Sequence, residues 1–178
     1  MRTVLARIVV VVGAVIIAAG CGVDDHQQDA PTGSALFDPC QDIKDSVFKK
    51  AGFDPATKKH PVPEFPERCS VESPSGNGLV LEHYLSMGVP EFDRALARQQ
   101  STLGDKIKKV TVNGRDAFTE PQTLTMFGSS SPLGCAVNLR TKLGMLRIGS
   151  SLTRNGADGC TEALAAATVL EPSLGPNR

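Results

Sequence analysis

Five cysteines offer the most chemistry in this chain. Cys40, Cys69, Cys135 and Cys160 are spread through its body, while Cys21 closes a run of small residues, Ala18-Ala19-Gly20. A thiol can hold zinc, attack an electrophile, form a disulfide or accept an alkyl group. No two of these cysteines have a metal-knuckle spacing, so zinc is the weaker reading and no metal site is expected. Four cysteines allow three pairings. Sequence neighbours are the expected ones, Cys40 with Cys69 and Cys135 with Cys160, because each pair would join the first turn of a helix to an adjacent strand. Loops of that size stabilise a fold by roughly 3 to 4 kcal/mol apiece in the chain-entropy model. Cys21 is then the thiol left over.

The residues before Cys21 say what becomes of it. Arg2 and Arg7 supply positive charge, Ile8 to Ile17 form an unbroken apolar stretch, and Ala18 to Gly20 fit a peptidase cleft, which together read as a signal peptide over residues 1–20. A spanning helix needs about 20 apolar residues, and this stretch stops short of that. Ala18-Ala19-Gly20-Cys21 resembles the lipobox of bacterial lipoproteins, although the large aliphatic residue usual three places before the cysteine is Ala18 here. The resemblance implies that Cys21 receives diacylglycerol, becomes the new amino terminus and holds the protein on the outer face of the cell membrane through acyl chains such as palmitate. Two chains on one glycerol give durable attachment, at ~0.8 kcal/mol per buried methylene.

Other reactive residues point away from catalysis. There is no Gly-x-Ser-x-Gly elbow, no His-Glu-x-x-His and no phosphate-binding glycine loop. Ser129 to Ser131 are expected in a loop without a base, His60 lies among prolines, and Glu82 and His83 are adjacent on a strand and so point apart. His26 lies in a polar linker where nothing could converge on a metal. The expectation is a non-enzyme without a cofactor. Without Arg2 and Arg7, 17 basic side chains stand against 19 acidic ones, and such near-neutrality argues against nucleic acid as a partner.

The elements around these residues are legible from their periods. Gly22 to Leu36 has no periodicity, so residues 21–36 form a lipidated cysteine and a flexible tether reaching roughly 20 Å. A single domain is expected over residues 37–172, with 173–178 as a tail. It opens with a helix capped by Asp38, with Pro39 at its first position, a capping box closed by Gln41, and Ile43, Val47 and Phe48 on one face. Phe53-Asp54-Pro55 suggests another turn, and the prolines after His60 a loop. Leu79 to Met87 alternates as a half-buried strand, with Tyr84 and Glu82 on the face away from the core. Pro90 starts a helix with Phe92, Leu96 and Leu103 as its inner stripe. Asn113-Gly114 marks a hairpin, Leu124 to Phe127 a short strand, and Ser129 to Gly134 a loop. The final helix, capped by Asp158 and stopped at Glu171-Pro172, should bury Cys160, Leu164 and Ala167, its small residues letting it lie close on the sheet. The expected fold is α+β, a sandwich of antiparallel sheet and about three helices with two disulfides.

One hairpin bears on binding. If Leu143-Gly144 is the turn between Cys135 and Thr153, the aliphatic residues share a face and Arg140 stands directly across from Arg147. Facing like charges call for compensation by Glu82, by solvent or by an anionic ligand. Tyr84, Arg140 and Arg147 are therefore the candidate ligand or partner surface.

Phe37-Asp38-Pro39-Cys40, the following Gly52 to Pro55, Cys69, Val112 to Phe118, Gly134 to Ile148 and the helix with Cys160 resemble, in this order, an uncharacterised family of actinobacterial lipoproteins with this four-cysteine layout. The resemblance covers about residues 37–172 and departs at Ser70 and Val71, where an aromatic is common. Similarity in layout extends to the extracellular sensor domain of a mycobacterial receptor kinase. The resemblance implies an envelope protein with no defined activity. Two functions remain open: a tethered binding or sensing module for a peptide, lipid, glycan or envelope partner, and a structural or regulatory interaction protein with no small ligand. An apolar hollow of some 300 Å³ or more favours the first.

Overall fold

The computed structural model describes residues 37–65, 67–85, 90–127, 129–151 and 159–174. Its strands are β1 (Asp54–Lys59), β2 (Arg68–Glu72), β3 (Gly78–Leu85), β4 (Lys108–Val112), β5 (Arg115–Met126), β6 (Ser129–Thr141) and β7 (Gly144–Ser151). They form one seven-stranded sheet in the order β1-β2-β3-β7-β6-β5-β4, with every neighbouring pair antiparallel. Four helices accompany it: α1 (Pro39–Asp42), α2 (Asp45–Lys50), α3 (Glu91–Leu103) and α4 (Gly159–Leu170), with 3₁₀ turns at Gly104–Lys106 and Glu171–Leu174.

Period-2 alternation gives the sheet two apolar faces. Val71, Leu79, Leu81, Val137, Leu139, Leu146 and Ile148 point to the side covered by α1, α2 and α4, where they meet Ile43, Phe48, Ala163, Ala167 and Leu170 in the main core. Phe118 and Met145 point the other way and meet Phe92 and Ala95 of α3. The sheet is thus sandwiched between helices, one more than the expected three. Both disulfides join the expected partners, Cys40 to Cys69 and Cys135 to Cys160, and each ties a helix's first turn to a strand.

Several elements depart from their sequence signals. The first helix is split, because Ile43 is extended (φ −89°, ψ 119°) and buries its side chain completely. Asp38 caps it by accepting from the N–H groups of Cys40 and Gln41, while the reciprocal acceptor for the Asp38 N–H is Asp42 rather than Gln41. Asp54–Lys59 forms edge strand β1 instead of a turn. Ser129–Gly134 is the start of β6 rather than a loop: it extends the ladder with β5, and a register shift between Gln122 and Thr123 accommodates the extra residue beside Pro132. The expected strand to Met87 is seen as far as Leu85, and 86–89 lie outside the described residues.

On α4, Ala163, Ala166, Ala167 and Leu170 are buried, while Cys160 and Leu164 are only half-buried. The proposed cap Asp158 lies outside the described residues. Close approach of this helix to the sheet is real: a Cβ on Gly159 would stand 3.1 Å from the Gly134 Cα. The packed part runs past the expected boundary at 172, since Leu174 is buried in the main core.

Candidate functional site

The candidate residues all lie on the face of the sheet that carries α3. The β6–β7 hairpin turns on Lys142-Leu143, with Thr141 paired to Gly144, so the register differs by two residues from the expected one. A two-residue slip keeps every side chain on its face. The aliphatic residues therefore share the core face as expected, but Arg140 does not face Arg147. Arg140 pairs with Met145, and Arg147 pairs with Asn138.

Compensation comes from carboxylates within the sheet. Cross-strand register sets Arg68, Glu82, Arg147 and Asn138 in one row across β2, β3, β7 and β6. Glu82 takes Arg68 at 3.2 Å and Arg147 at 3.3 Å, and accepts the Tyr84 hydroxyl at 2.8 Å. Arg147 also approaches Glu120 at 3.8 Å, and Asn138 donates to Glu120 at 3.2 Å. Burial, together with the hydrogen bond to Glu82 and its charge, raises the Tyr84 pKa against the opposing pull of Arg147 and Arg68. Such a row fixes the register of four strands.

Arg140 belongs to a second constellation. Asp93 of α3 accepts two of its N–H groups, Asp116 of β5 accepts a third at 3.2 Å, and its guanidinium lies 4.2 Å from the centroid of the Phe92 ring. The hydrogen bonds from Arg140 hold Asp93 below the ordinary aspartate pKa, and Asp93 in turn raises that of Arg140. Sequence spacing could not show this, because Asp93 sits on a helix 47 residues away from Arg140.

Two hollows flank α3. One is an open groove of about 540 Å³ between Phe92, Asp93 and Leu96 on the helix and Lys109, Val110, Thr111, Asp116, Ala117 and Arg140 on the sheet. The other, about 240 Å³, is polar and lies between Tyr84, Glu120, Asn138 and Arg147 below and Glu91, Arg98 and Gln99 above. Tyr84 and Arg147 thus line one hollow and Arg140 the other. The expected surface is one face of the sheet divided by a helix. Sequence reasoning missed the contributions of α3 and β4, whose only signal was the inner stripe with Phe92 and Leu96.

Histidine and cysteine have structural duties. His83 is buried, with Nε2 3.4 Å from the Thr141 hydroxyl and its ring edge-on to Phe37. The His60 Nδ1 donates to the Arg68 carbonyl at 2.8 Å, and Nε2 lies 3.5 Å from Asp38. Asp38, Cys40 and His60 have ligand-type atoms within 4.8 Å of one another. The sulfur of that trio is spent in a disulfide, the carboxylate caps α1 and the imidazole bonds the Arg68 carbonyl, so all three already have structural partners.

No family model, no curated protein and no solved structure matches this chain. The functional reading therefore rests on the residues and on the hollows beside α3. Among the described residues no helix is long and apolar enough to cross a membrane.

Proposed function

We propose that this chain is a membrane-anchored extracytoplasmic lipoprotein whose domain is a non-enzymatic binding or sensing module of the cell envelope, with its ligand or partner held beside α3. The observation that carries the anchor is cysteine parity. Four of the five cysteines are joined in pairs, and Cys21 is the one that remains, behind a leader of the right composition. Disulfides themselves favour an oxidising compartment.

The groove of about 540 Å³ exceeds the size that distinguishes a binding module from a flat structural protein, and Phe92 and Leu96 give it an apolar wall. Against catalysis stand the hydrogen-bond and ring partners of His83 and the backbone partner of His60, which give both side chains positional work. The resemblance to actinobacterial lipoproteins points the same way.

Fractionation of cells carrying Cys21→Ser tests the anchor. Wild type should sediment with membranes and enter the detergent phase, and the variant should be released; a variant that stays with the membrane refutes lipid attachment. The binding site is tested separately by crosslinking in intact envelopes, where Leu96→Arg in the groove should remove a partner that the wild type retains.

A further inference from the structure

β4 is the last strand of the sheet, and its free side runs along the groove. Its turn into β5 has two residues, Asn113 (φ 51°) and Gly114 (φ 85°), so Val112 and Arg115 form a closely hydrogen-bonded pair and the ladder alternates from there. Val110 then bonds Ala117 and Lys108 bonds Thr119. The N–H and C=O groups of Lys109 and Thr111 point away from β5. Among the described residues no backbone hydrogen bond reaches them from outside the hairpin. The side chains of these same two residues share the α3 face with Phe118 and Asp116, beside Phe92 and Leu96. A row of open backbone donors and acceptors therefore borders an apolar trough.

Charge narrows what could add there. Lys106, Lys108 and Lys109 are exposed, and among the described residues none of them makes an ion pair. The groove's own carboxylates, Asp93 and Asp116, are already held by Arg140. Asp105 is the only acid from Gly104 to Val112. Lysines on an edge deter chance pairing with neutral or basic strands, and they admit an acidic one.

We infer that β4 receives an extended acidic segment of an envelope protein by strand addition, with alternate apolar side chains of that segment seated between Phe92, Leu96 and the sheet. This deepens the binding reading above and rests on it. Backbone bonds to Lys109 and Thr111 supply sequence-independent attachment, the positive charge of the edge favours an acidic segment, and the trough selects for apolar residues at every second position.

The test uses the full chain purified in detergent and a fluorescein-labelled peptide, Glu-Val-Glu-Leu-Asp-Val, read by fluorescence anisotropy. Saturable binding is expected. It should weaken about tenfold or more when alternate peptide amides are N-methylated, or when the protein carries Lys108→Glu with Lys109→Glu. Thr111→Pro removes one outward N–H and none of the β4–β5 bonds, and it should weaken binding likewise, with retained circular dichroism showing that the domain is folded. Since Lys108 and Lys109 are exposed, the charge variant keeps the test sound if the proline variant does not fold. Absence of saturable binding, or binding indifferent to N-methylation and to the lysine variant, overturns strand addition. If the peptide fails while Leu96→Arg still removes the envelope crosslink, strand addition alone falls and the groove reading survives.

Discussion

Asp93 on α3 grips Arg140 on β6 with both carboxylate oxygens, Oδ1 at 2.7 Å from Nη2 and Oδ2 at 2.8 Å from Nη1. This is the polar contact that clamps the helix to the sheet at the mouth of the groove. The pair is partly solvated, with Asp93 52% and Arg140 38% exposed, so it contributes at most about 1 kcal/mol. Asp93 titrates below its unfolded value. Its contribution is therefore present above the ordinary aspartate pKa of about 3.9 and is lost as pH falls through the lower, folded-state value. Asp93→Asn should lower the urea midpoint at pH 7, and the loss should shrink as pH falls below the ordinary aspartate range. A loss that grows as pH falls would disprove the titration argument.

Tyr84 provides an alkaline counterpart. Its pKa is raised first by burial and then by the hydrogen bond it donates to Glu82, so the associated stability is complete below the unfolded value of about 10 and is lost as pH climbs through the folded one. The chain has one tyrosine and no tryptophan, which leaves phenolate absorbance near 295 nm free of other contributions. A spectrophotometric titration should give a midpoint above 10 in the native protein, falling in urea. A native midpoint at or below 10 would show that burial and Glu82 do not outweigh the opposing pull of Arg147 and Arg68.

What could be read beforehand was whatever is local. The Asn113-Gly114 hairpin, the helix begun by Pro90 and the alternation of Leu79, Leu81 and His83 follow from turn chemistry and period alone, and all three are present. Both disulfide pairings were legible as well, because each joins the first turn of a helix to a strand. The β6–β7 register escaped by two residues because a slip of two preserves the apolar face, leaving the pattern of hydrophobics blind to it. Asp54–Lys59 and Ser129–Gly134 became strands despite their turn-like composition, since a partner strand offered each a ladder. The groove was invisible in the sequence. It exists because α3 returns across a face whose groove residues come from three strands, β4, β5 and β6.

The meeting of Gly134 with β7 and α4 gives a sharper prediction. Gly134 has φ +144°, and a Cβ there would run into the Ser150 carbonyl; Gly159 sits against it, with a Cβ reaching 3.1–3.3 Å from the Gly134 and Cys135 backbone. Gly134→Ala must displace β7 and should cost about 3 kcal/mol or more, whereas Gly159→Ala, which needs a shift of a few tenths of an ångström, should cost about 1 kcal/mol. Chemical denaturation of both variants ranks them. A Gly134→Ala variant as stable as Gly159→Ala would mean that the Ser150 carbonyl of β7 does not lie this close to Gly134.

The disulfides should contribute alike although they hold different pieces. Cys40–Cys69 closes a separation of 29 residues and anchors α1, a single turn with little apolar surface of its own. Cys135–Cys160 closes 25 residues and anchors α4, which already buries Ala163, Ala166, Ala167 and Leu170. If the benefit lies in restricting the unfolded chain, loop length governs it, and lengths this close give about 3.5 kcal/mol for each bridge. If it lies in holding the native helix in place, losing Cys40–Cys69 should hurt more, because α1 has less packing to fall back on. Paired serine variants, Cys40→Ser with Cys69→Ser and Cys135→Ser with Cys160→Ser, separate the two accounts by denaturant unfolding. Penalties within about 1 kcal/mol of each other are expected. A much larger loss on releasing α1 would put the stabilisation in the native state, and peptide mapping of the unreduced protein that found Cys69 joined to Cys135 would refute the pairing itself.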